Sequence, residues 1–193
     1  SIMLEEIGYQ YKLTKIDISN GEQFKPEFVK LSPFSKIPII IDHDKNETIF
    51  ESGAILIYLG EKSGKFYDNE DRLKINQWLM AQMGYVGPMI GQHHQFHHFN
   101  PGKSDFGEER YFKITKKIYQ DLDNRLEKSK YLAGEKYSIA DIATFPWIAR
   151  HVWHDVGLIN YKNLTRWYNQ ISKREAVKKG FAFIDKDEHP PKP

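Results

Sequence analysis

The chain has 193 residues, of which 40% are hydrophobic and 28% are charged, so it is long enough for one large globular domain or two small ones. Its formal charge of +2 is diluted among 26 acidic residues, which does not indicate nucleic-acid binding, and it contains no cysteine. Disulfides, thiolate zinc sites and a cysteine nucleophile are therefore excluded, and any thiol chemistry must use a thiol that a ligand brings.

The first third of the chain mixes helix and strand signals. Ser1–Ile7 matches the end of an amphipathic helix that Gly8 stops, and no cap precedes it, so we expect residues to be missing before Ser1. Two further helices are predicted, at residues 26–31 and 52–62. Three strands are predicted from alternation and short apolar runs: residues 11–18, residues 39–41 as a central buried strand, and residues 48–50 as its hairpin partner.

The last two thirds of the chain have helical spacing. Four apolar residues recur at every fourth position in a long predicted helix over residues 108–128, namely Ile114, Ile118, Leu122 and Leu126. Residues 84–107, which carry Gly, Pro and His, predict a looser stretch. Other helices are predicted at residues 73–83, 138–152 and 164–173. We therefore expect an α/β domain over residues 1–66 and an all-α helical domain over residues 67–193.

Three short motifs stand out along the chain. Ile37-Pro38 lies directly before a predicted strand, and a proline that cannot donate to the ladder belongs at a strand's start. Glu51-Ser52-Gly53 lies at a strand-to-helix junction, where free N–H groups can bind an anion, although Ser52 taken alone predicts only a helix cap. Ser138 and Asp141 have the spacing of a capping box, to which we assign a structural role.

Together these motifs resemble the glutathione transferase superfamily, in particular the bacterial nu class and the related yeast nitrogen regulators. The resemblance extends over nearly the whole chain, and it is carried further by residues 21–28, 50–55, 87–92 and 138–143. It implies a thioredoxin-like α/β domain followed by an all-α domain. It also implies a homodimer that takes glutathione as co-substrate, with one or two glutathiones at each site.

The resemblance implies a set of glutathione ligands. The N–H and C=O of Ile37, turned outward by a cis peptide bond to Pro38, would bind the cysteinyl part, as in strand addition. The Glu51 carboxylate would pair with the γ-glutamyl ammonium, and Ser52 would bind the γ-glutamyl carboxylate. Two more residues complete the set of expected ligands: Gln23 and Lys36.

Two other parts of the family's site are located by the same resemblance. Lys116 or Lys117 of a partner subunit would lie near the ligand, at a place where arginine is more typical. The family's first strand, and the Thr/Asn turn that stabilises the glutathione thiolate, precede the segment that matches Ser1. No catalytic residue is therefore assigned in this chain.

The run His93-His94-Gln95-Phe96-His97-His98 leaves alternatives open. On a helix it would form two i,i+4 histidine pairs, which can bind zinc, but no cysteine and no Glu-x-x-His completes such a site. Lining of a second-substrate pocket, or a polar surface between subunits, is favoured over a metal site. We predict no metal.

The resemblance to the nu class implies an enzyme that reduces a small disulfide or adds glutathione to a small electrophile, and it favours the disulfide. Because the chain has no cysteine, two glutathiones would have to supply both sulfurs for the reduction. The alternative is a glutathione-fold module without catalysis, used for regulation or scaffolding. No run approaches the roughly 18 apolar residues of a membrane span, and no secretory signal is visible, so we expect a cytoplasmic protein without membrane partners.

Overall fold

The computed structural model describes residues 1–182 and 188–193 of the chain. As predicted, the N-terminal part is a small α/β unit of the thioredoxin-like type. In chain order it contains α1 (Ile2–Ile7), α2 (Pro26–Val29), β1 (Ile39–Asp42), β2 (Glu47–Phe50) and α3 (Ser52–Ser63). A left-handed glycine ends α1 at Gly8 and α3 at Gly64, where φ is 74° and 67°, respectively.

The rest of the described chain is helical, which confirms the predicted all-α second half. Its α-helices are α4 (Arg72–Ala81), α5 (Gly87–His93), α6 (Asp105–Glu127), α7 (Ile139–Ile148), α8 (Lys162–Ser172) and α9 (Glu175–Phe181). Two π-helical segments, Gln82–Val86 and His94–Phe99, continue α4 into α5 and extend α5. Within the part that the structure describes, no helix has the length and apolar character needed to cross a bilayer.

The loose stretch predicted over residues 84–107 is wrong as far as Phe99, because the chain there is helical. Its glycines serve close packing instead of breaking the helix. A Cβ added at Gly87 would lie 3.1 Å from an indole carbon of Trp147, so the helix approaches α7 closely at this point. Pro88 lies in the first turn of α5, directly after the π-helical segment Gln82–Val86.

The sheet has two antiparallel strands in the described residues, with Ile39 opposite Phe50 and Asp42 opposite Glu47. The hairpin is the predicted one, but the prediction of a central buried strand is wrong. Because β1 has a single partner strand among the described residues, it forms an edge, and the side chain of Ile41 is 47% exposed.

The strand predicted over residues 11–18 is not formed. Residues 11–17 have no regular secondary structure, and the apolar side chains Tyr11, Leu13 and Ile18 are 38–55% exposed. A strand needs the backbone of a neighbour, and the described sheet ends at the hairpin of β1 and β2. The alternation of apolar residues predicted a strand here, but it carries no information on whether a neighbouring strand is available to pair with it.

The main core lies among the helices of the second half. The apolar stripe predicted on α6 is confirmed for Ile118, Leu122 and Leu126, which are at most 3% exposed, while Ile114 is half-buried at its edge. Facing helices contribute large, fully buried rings, including Phe145 of α7 and Trp167 of α8. Each such side chain contributes about 1.5–3 kcal/mol by its burial, so this core carries much of the stability.

The capping box predicted at α7 is confirmed, and Asp141 reaches beyond it. Its carboxylate accepts the Ser138 N–H at 3.0 Å, and it also accepts the Leu132 N–H at 3.0 Å and the Trp167 indole N–H at 2.8 Å. Burial raises the pKa of Asp141 to about 6, although these hydrogen bonds favour the ionised form. One side chain thus joins α7, the preceding loop and α8.

The two halves meet where α1 packs against α9. The hydroxyl of Ser1 donates to the carbonyl of Gly180 at 2.9 Å, and Arg174 binds the buried carboxylate of Glu6 through contacts of 2.5 and 2.7 Å. A Cβ at Gly180 would lie 2.9 Å from the backbone nitrogen of Ile2, so only glycine permits this approach. These contacts therefore hold α1 in place against α9.

Candidate functional site

The register of the hairpin brings two of the predicted motifs to the same end of the sheet. Ile39 is paired with Phe50, so the residues before β1 and the residues after β2 leave the sheet side by side. Ile37 and Pro38 precede β1, and the peptide bond between them is cis, as the resemblance implied. Glu51 follows β2 directly.

The loop before β1 leaves one backbone unit free. The buried Ser32 hydroxyl donates to the carbonyl of Lys36 at 3.0 Å and accepts the Lys36 N–H at 3.1 Å, which fixes the loop from inside. Neither the N–H nor the C=O of Ile37 forms a hydrogen bond within the described residues. This donor and acceptor are available to an extended peptide ligand.

The first turn of α3 offers a positive helix end beside a negative side chain. The leading N–H groups at Ser52 and Gly53 have no side-chain cap, so they can bind an anion. The Glu51 side chain is exposed and forms no ion pair in the described part of the chain. A carboxylate next to a helix N-terminus suits a ligand group that carries both an ammonium and a carboxylate.

Met83 supports this turn, and the sequence analysis missed it. Its sulfur lies 3.5 Å from the Ser52 hydroxyl, and a Cβ added at Gly53 would lie 3.1 Å from its Cγ. The π-helical segment that follows α4 therefore packs directly against the first turn of α3. No spacing in the sequence links Met83 to Ser52, because the two residues are 31 positions apart.

The structure does not join the other two predicted ligands to this group by a hydrogen bond. Gln23 lies in the turn before α2, where its amide donates to the carbonyl of Ile18 at 3.2 Å. Its side-chain oxygen is buried and finds no partner among the described residues. The backbone of Lys36 is engaged by Ser32, so only its exposed ammonium is available to a ligand.

Lys116 and Lys117 lie on the exposed surface of α6. Lys117 forms an ion pair with Asp121, and the Lys116 ammonium lies 5.6 Å from the ring centre of Phe112. Within the described chain, no hydrogen bond connects either lysine with Glu51 or its neighbours. Their contact with a partner subunit's ligand therefore stays a prediction.

The histidine run divides into a buried half and an accessible half. His93 and His94 are 0% and 7% exposed, so a polar surface between subunits is wrong for them. His98 is exposed and His97 is half-buried, so a role beside a second substrate stays a prediction for these two. Among the residues with described positions, no group of three or more histidines or acidic side chains is arranged to hold a metal.

A cleft of about 410 Å³ opens elsewhere, between the linker that follows α3 and the loop before α7. None of the predicted glutathione ligands lines it. Its charged groups already have partners, since Arg72 binds Glu61 at 3.2 Å and Lys136 binds Asp68 at 2.6 Å. The end of the hairpin is therefore the candidate functional site, because it combines a free donor, a free acceptor and a carboxylate that has no ion-pair partner among the described residues.

The family model described as "Glutathione S-transferase, N-terminal domain" matches residues 1–61, and the corresponding C-terminal domain matches residues 89–175. "Disulfide-bond oxidoreductase YfcG" of Escherichia coli (strain K12) is 43% identical over 184 residues, which cover 92% of this chain and 86% of YfcG.

Solved structures show the same relationship. A glutathione transferase from Burkholderia graminis, with two glutathione molecules bound per subunit, has a TM-score of 0.89 and 37% identity, covering 96% of this chain and 82% of that one. A glutathione transferase from Pseudomonas putida, with one glutathione disulfide bound per subunit, has a TM-score of 0.87 and 40% identity. That match covers 93% of this chain and 83% of the other.

Proposed function

Because the chain belongs to the glutathione S-transferase family, we propose that it is an enzyme that uses glutathione to reduce small disulfides. The observation that carries the proposal is the grouping of complementary features at one end of the hairpin. Glutathione is a peptide with an amide backbone and a γ-glutamyl head that bears an ammonium and a carboxylate. The free N–H and C=O of Ile37 match the amide backbone of glutathione. Glu51 matches the ammonium, and the N-terminus of α3 at Ser52 matches the carboxylate.

The proposed glutathione ligands are supported by different observations. Ile37, Pro38, Glu51 and Ser52 share one end of the sheet, so a single small peptide can reach them all. Lys36 lies in the same loop, and its ammonium would form an ion pair with a carboxylate of the ligand. We include Gln23 because its buried, unpaired oxygen is an acceptor that a ligand N–H can satisfy.

The proposed reaction needs two glutathiones because the protein has no cysteine. The thiolate of the first glutathione attacks one sulfur of the substrate, the disulfide bond breaks, and the released thiolate takes a proton. A second glutathione thiolate then attacks the glutathione sulfur of the mixed disulfide. The products are two substrate thiols and one glutathione disulfide, so the substrate gains the two electrons that the glutathiones lose.

The relatives support this choice over conjugation alone. YfcG is named a disulfide-bond oxidoreductase, and the Burkholderia and Pseudomonas enzymes hold two glutathiones and one glutathione disulfide per subunit, respectively. Those states correspond to the reactants and the product of the proposed cycle. Addition of glutathione to a small electrophile would use the same thiolate, and we propose it as a slower side activity.

We also propose that the enzyme is a homodimer. Leu73 and Met80 lie seven residues apart on one face of α4, and their side chains are 73% and 50% exposed. Covering such a face stabilises a two-fold dimer. In that arrangement Lys116 or Lys117 would face the glutathione of the partner subunit.

Two further assignments belong to the proposal. The boundary between the domains lies between residues 66 and 67, in the segment that separates the end of α3 at Ser63 from the start of α4 at Arg72. A cytoplasmic location fits an enzyme that consumes reduced glutathione, since reducing compartments keep thiols reduced.

The site is tested by calorimetry with glutathione on the Glu51→Gln variant. Removing the charge should weaken binding roughly 10- to 150-fold, because a charge-assisted hydrogen bond contributes about 1.5–3 kcal/mol. Glu47→Gln is the matched control, since Glu47 is also exposed and belongs to the same hairpin. Equal affinity in wild type and Glu51→Gln would rule out the proposed site.

The reaction is tested by comparing turnover of hydroxyethyl disulfide with conjugation to chlorodinitrobenzene, with glutathione in both assays. Disulfide reduction should be faster. Faster conjugation would assign the chain to a detoxifying role. Glutathione binding without turnover of either substrate would favour the regulatory or scaffolding alternative.

A further inference from the structure

A chain of hydrogen bonds between buried side chains crosses the helical domain. The hydroxyl of Tyr119 on α6 lies 2.6 Å from Nδ1 of His154, and Nε2 of His154 lies 2.7 Å from Nε2 of His94. Nε2 of His93 contacts the carbonyl of His154 at 3.0 Å. Tyr119 and His154 are fully buried. These contacts hold the turn His151–Trp153 and the residue after it against α5 and α6.

The contacts fix the proton on each ring. Tyr119 has no other acceptor among the described residues, so its O–H donates to Nδ1 of His154. The proton of His154 must then be on Nε2, where it is donated to Nε2 of His94. His94 consequently carries its own proton on Nδ1. With both rings neutral, each link uses one donor and one acceptor.

We propose that Tyr119, His154 and His94 form a proton-operated latch, which is closed while both imidazoles are neutral and which opens residues 149–157 when either ring is protonated. An imidazolium has two N–H donors and no acceptor. A protonated His94 would donate from Nε2 to Nε2 of His154, so His154 would carry its own proton on Nδ1, facing the hydroxyl of Tyr119. A protonated His154 also carries an N–H at Nδ1. In either case the Tyr119 O–H loses the acceptor it has among the described residues, inside a dry interior where an unmade hydrogen bond is costly.

The surroundings favour the neutral rings. Five basic side chains face the latch: His93, His97, His98, Arg150 and His151. Asp155 is the carboxylate near this group, and it faces His93. Tyr161 and Tyr168 face Tyr119. Burial, followed by the neighbouring positive charges, lowers the pKa of His94 to about 4 and that of His154 to about 2.

The direction of the pH effect follows from these shifts. An opened segment exposes histidines with the usual pKa of about 6.5, so the open form takes up protons at a higher pH than the closed form. The contribution of the latch is therefore complete above pH of about 6.5 and decreases as the pH falls towards 4. The release should be local, because α3 and the hairpin have no contact with these rings.

The test is histidine-selective ¹⁵N NMR at pH 7, followed by amide hydrogen exchange between pH 7 and 4.5. We expect a neutral Nε2–H tautomer for His154 and a neutral Nδ1–H tautomer for His94. We also expect amide protection in residues 149–157 to fall at least tenfold on acidification, after correction for the intrinsic pH dependence of exchange, while α3 stays protected. A charged ring at pH 7, or equal loss of protection in α3, would overturn the proposal.

Variants separate the latch from general acid sensitivity. His94→Gln keeps an acceptor for His154 but cannot be protonated, so its loss of protection should shift by at least one pH unit to lower pH. His43→Gln, in the exposed turn of the hairpin, is the matched control and should follow wild type. Tyr119→Phe removes the first link and should lower protection of residues 149–157 about tenfold at pH 7. Identical profiles for His94→Gln and wild type would refute the latch.

Discussion

Glu51 has an unusual backbone for a residue with a long side chain, with φ of 65° and ψ of 117°. Such a conformation costs about 1–3 kcal/mol in a residue other than glycine, and it is retained where the surrounding structure demands it. Here the strained residue is also the one whose carboxylate we assign to the ligand ammonium. Stability and binding therefore make opposite demands at this position.

Replacing Glu51 by glycine should separate these two demands. Glycine adopts positive φ without strain. Glu51→Gly should therefore leave the free energy of unfolding unchanged or raise it by at most about 1 kcal/mol. Glutathione affinity should fall at least tenfold in calorimetry. Glu51→Ala is the control, because it loses the carboxylate and keeps the strain. A Glu51→Gly variant with wild-type affinity would show that the carboxylate does not bind the ligand.

Asp141 should be needed for stability and not for chemistry. Asp141→Ala leaves the N–H groups of Leu132 and Ser138 and the indole of Trp167 without an acceptor, so it should destabilise the protein by about 3–5 kcal/mol in urea unfolding. Asp141→Asn keeps one oxygen and should cost less. Unchanged stability together with lost activity would mean that this residue has been misassigned.

Asp141 and Glu51 also show how far the sequence reaches at this scale. The capping box follows from a spacing of three residues and was predicted, whereas the Trp167 contact joins residues 26 positions apart and left no local signal. The carboxylate of Glu51 was predicted as a ligand only through the resemblance of its motif. Its strained φ depends on how β2 turns into α3, which no residue type specifies.

Among the elements, helices were predicted better than strands for a physical reason. The period of α6 is set within one element, so Ile114, Ile118, Leu122 and Leu126 reveal it directly. A strand exists only with its neighbour, and residues 11–17 lack a ladder partner in the described sheet. Glycine misled the prediction around Gly87, where it permits contact with Trp147 and does not end a helix.

Close packing between elements predicts opposite effects for two glycine substitutions. Gly180→Ala would place a Cβ 2.9 Å from backbone atoms of Ile2, so it should force α9 away from α1 and destabilise the protein by about 1–3 kcal/mol. Gly84→Ala meets no atom within 4 Å and should be neutral or stabilise by up to about 1 kcal/mol. Urea unfolding of both variants measures the difference. Equal stability would show that α1 and α9 are not held as closely as described.

For the whole molecule, the exposed face of α4 predicts the state of assembly. Met80→Glu should convert the proposed dimer into a monomer near 22.7 kDa in sedimentation, since it would place a charge in the proposed dry interface. Ile159→Glu is the matched control, because Ile159 is a similarly exposed apolar residue, 65% accessible, remote in sequence from α4. A wild-type protein that sediments as a monomer at micromolar concentration would contradict the proposed dimer.

The order of the two halves was predicted at this scale, whereas their contact was not. The change from mixed helix and strand patterns to purely helical spacing of apolar residues predicts two units. The motifs at Ile37-Pro38 and Glu51-Ser52 together indicate the family. The ion pair between Glu6 and Arg174 joins residues 168 positions apart, and neither residue is unusual in its local sequence. Contacts of this kind depend on the completed fold.

The contact between α1 and α9 has a consequence for biosynthesis. Ser1 and Gly180 are 179 positions apart in the chain, so a ribosome working at about 5–20 residues per second makes the partner of α1 roughly 9–36 s after α1 itself. During that interval the apolar side chains of Ile2 and Met3 lack the cover that α9 provides in the folded protein. The N-terminal unit is therefore expected to complete its folding only after α9 has been synthesised, and nascent chains should be clients of chaperones that bind exposed apolar segments.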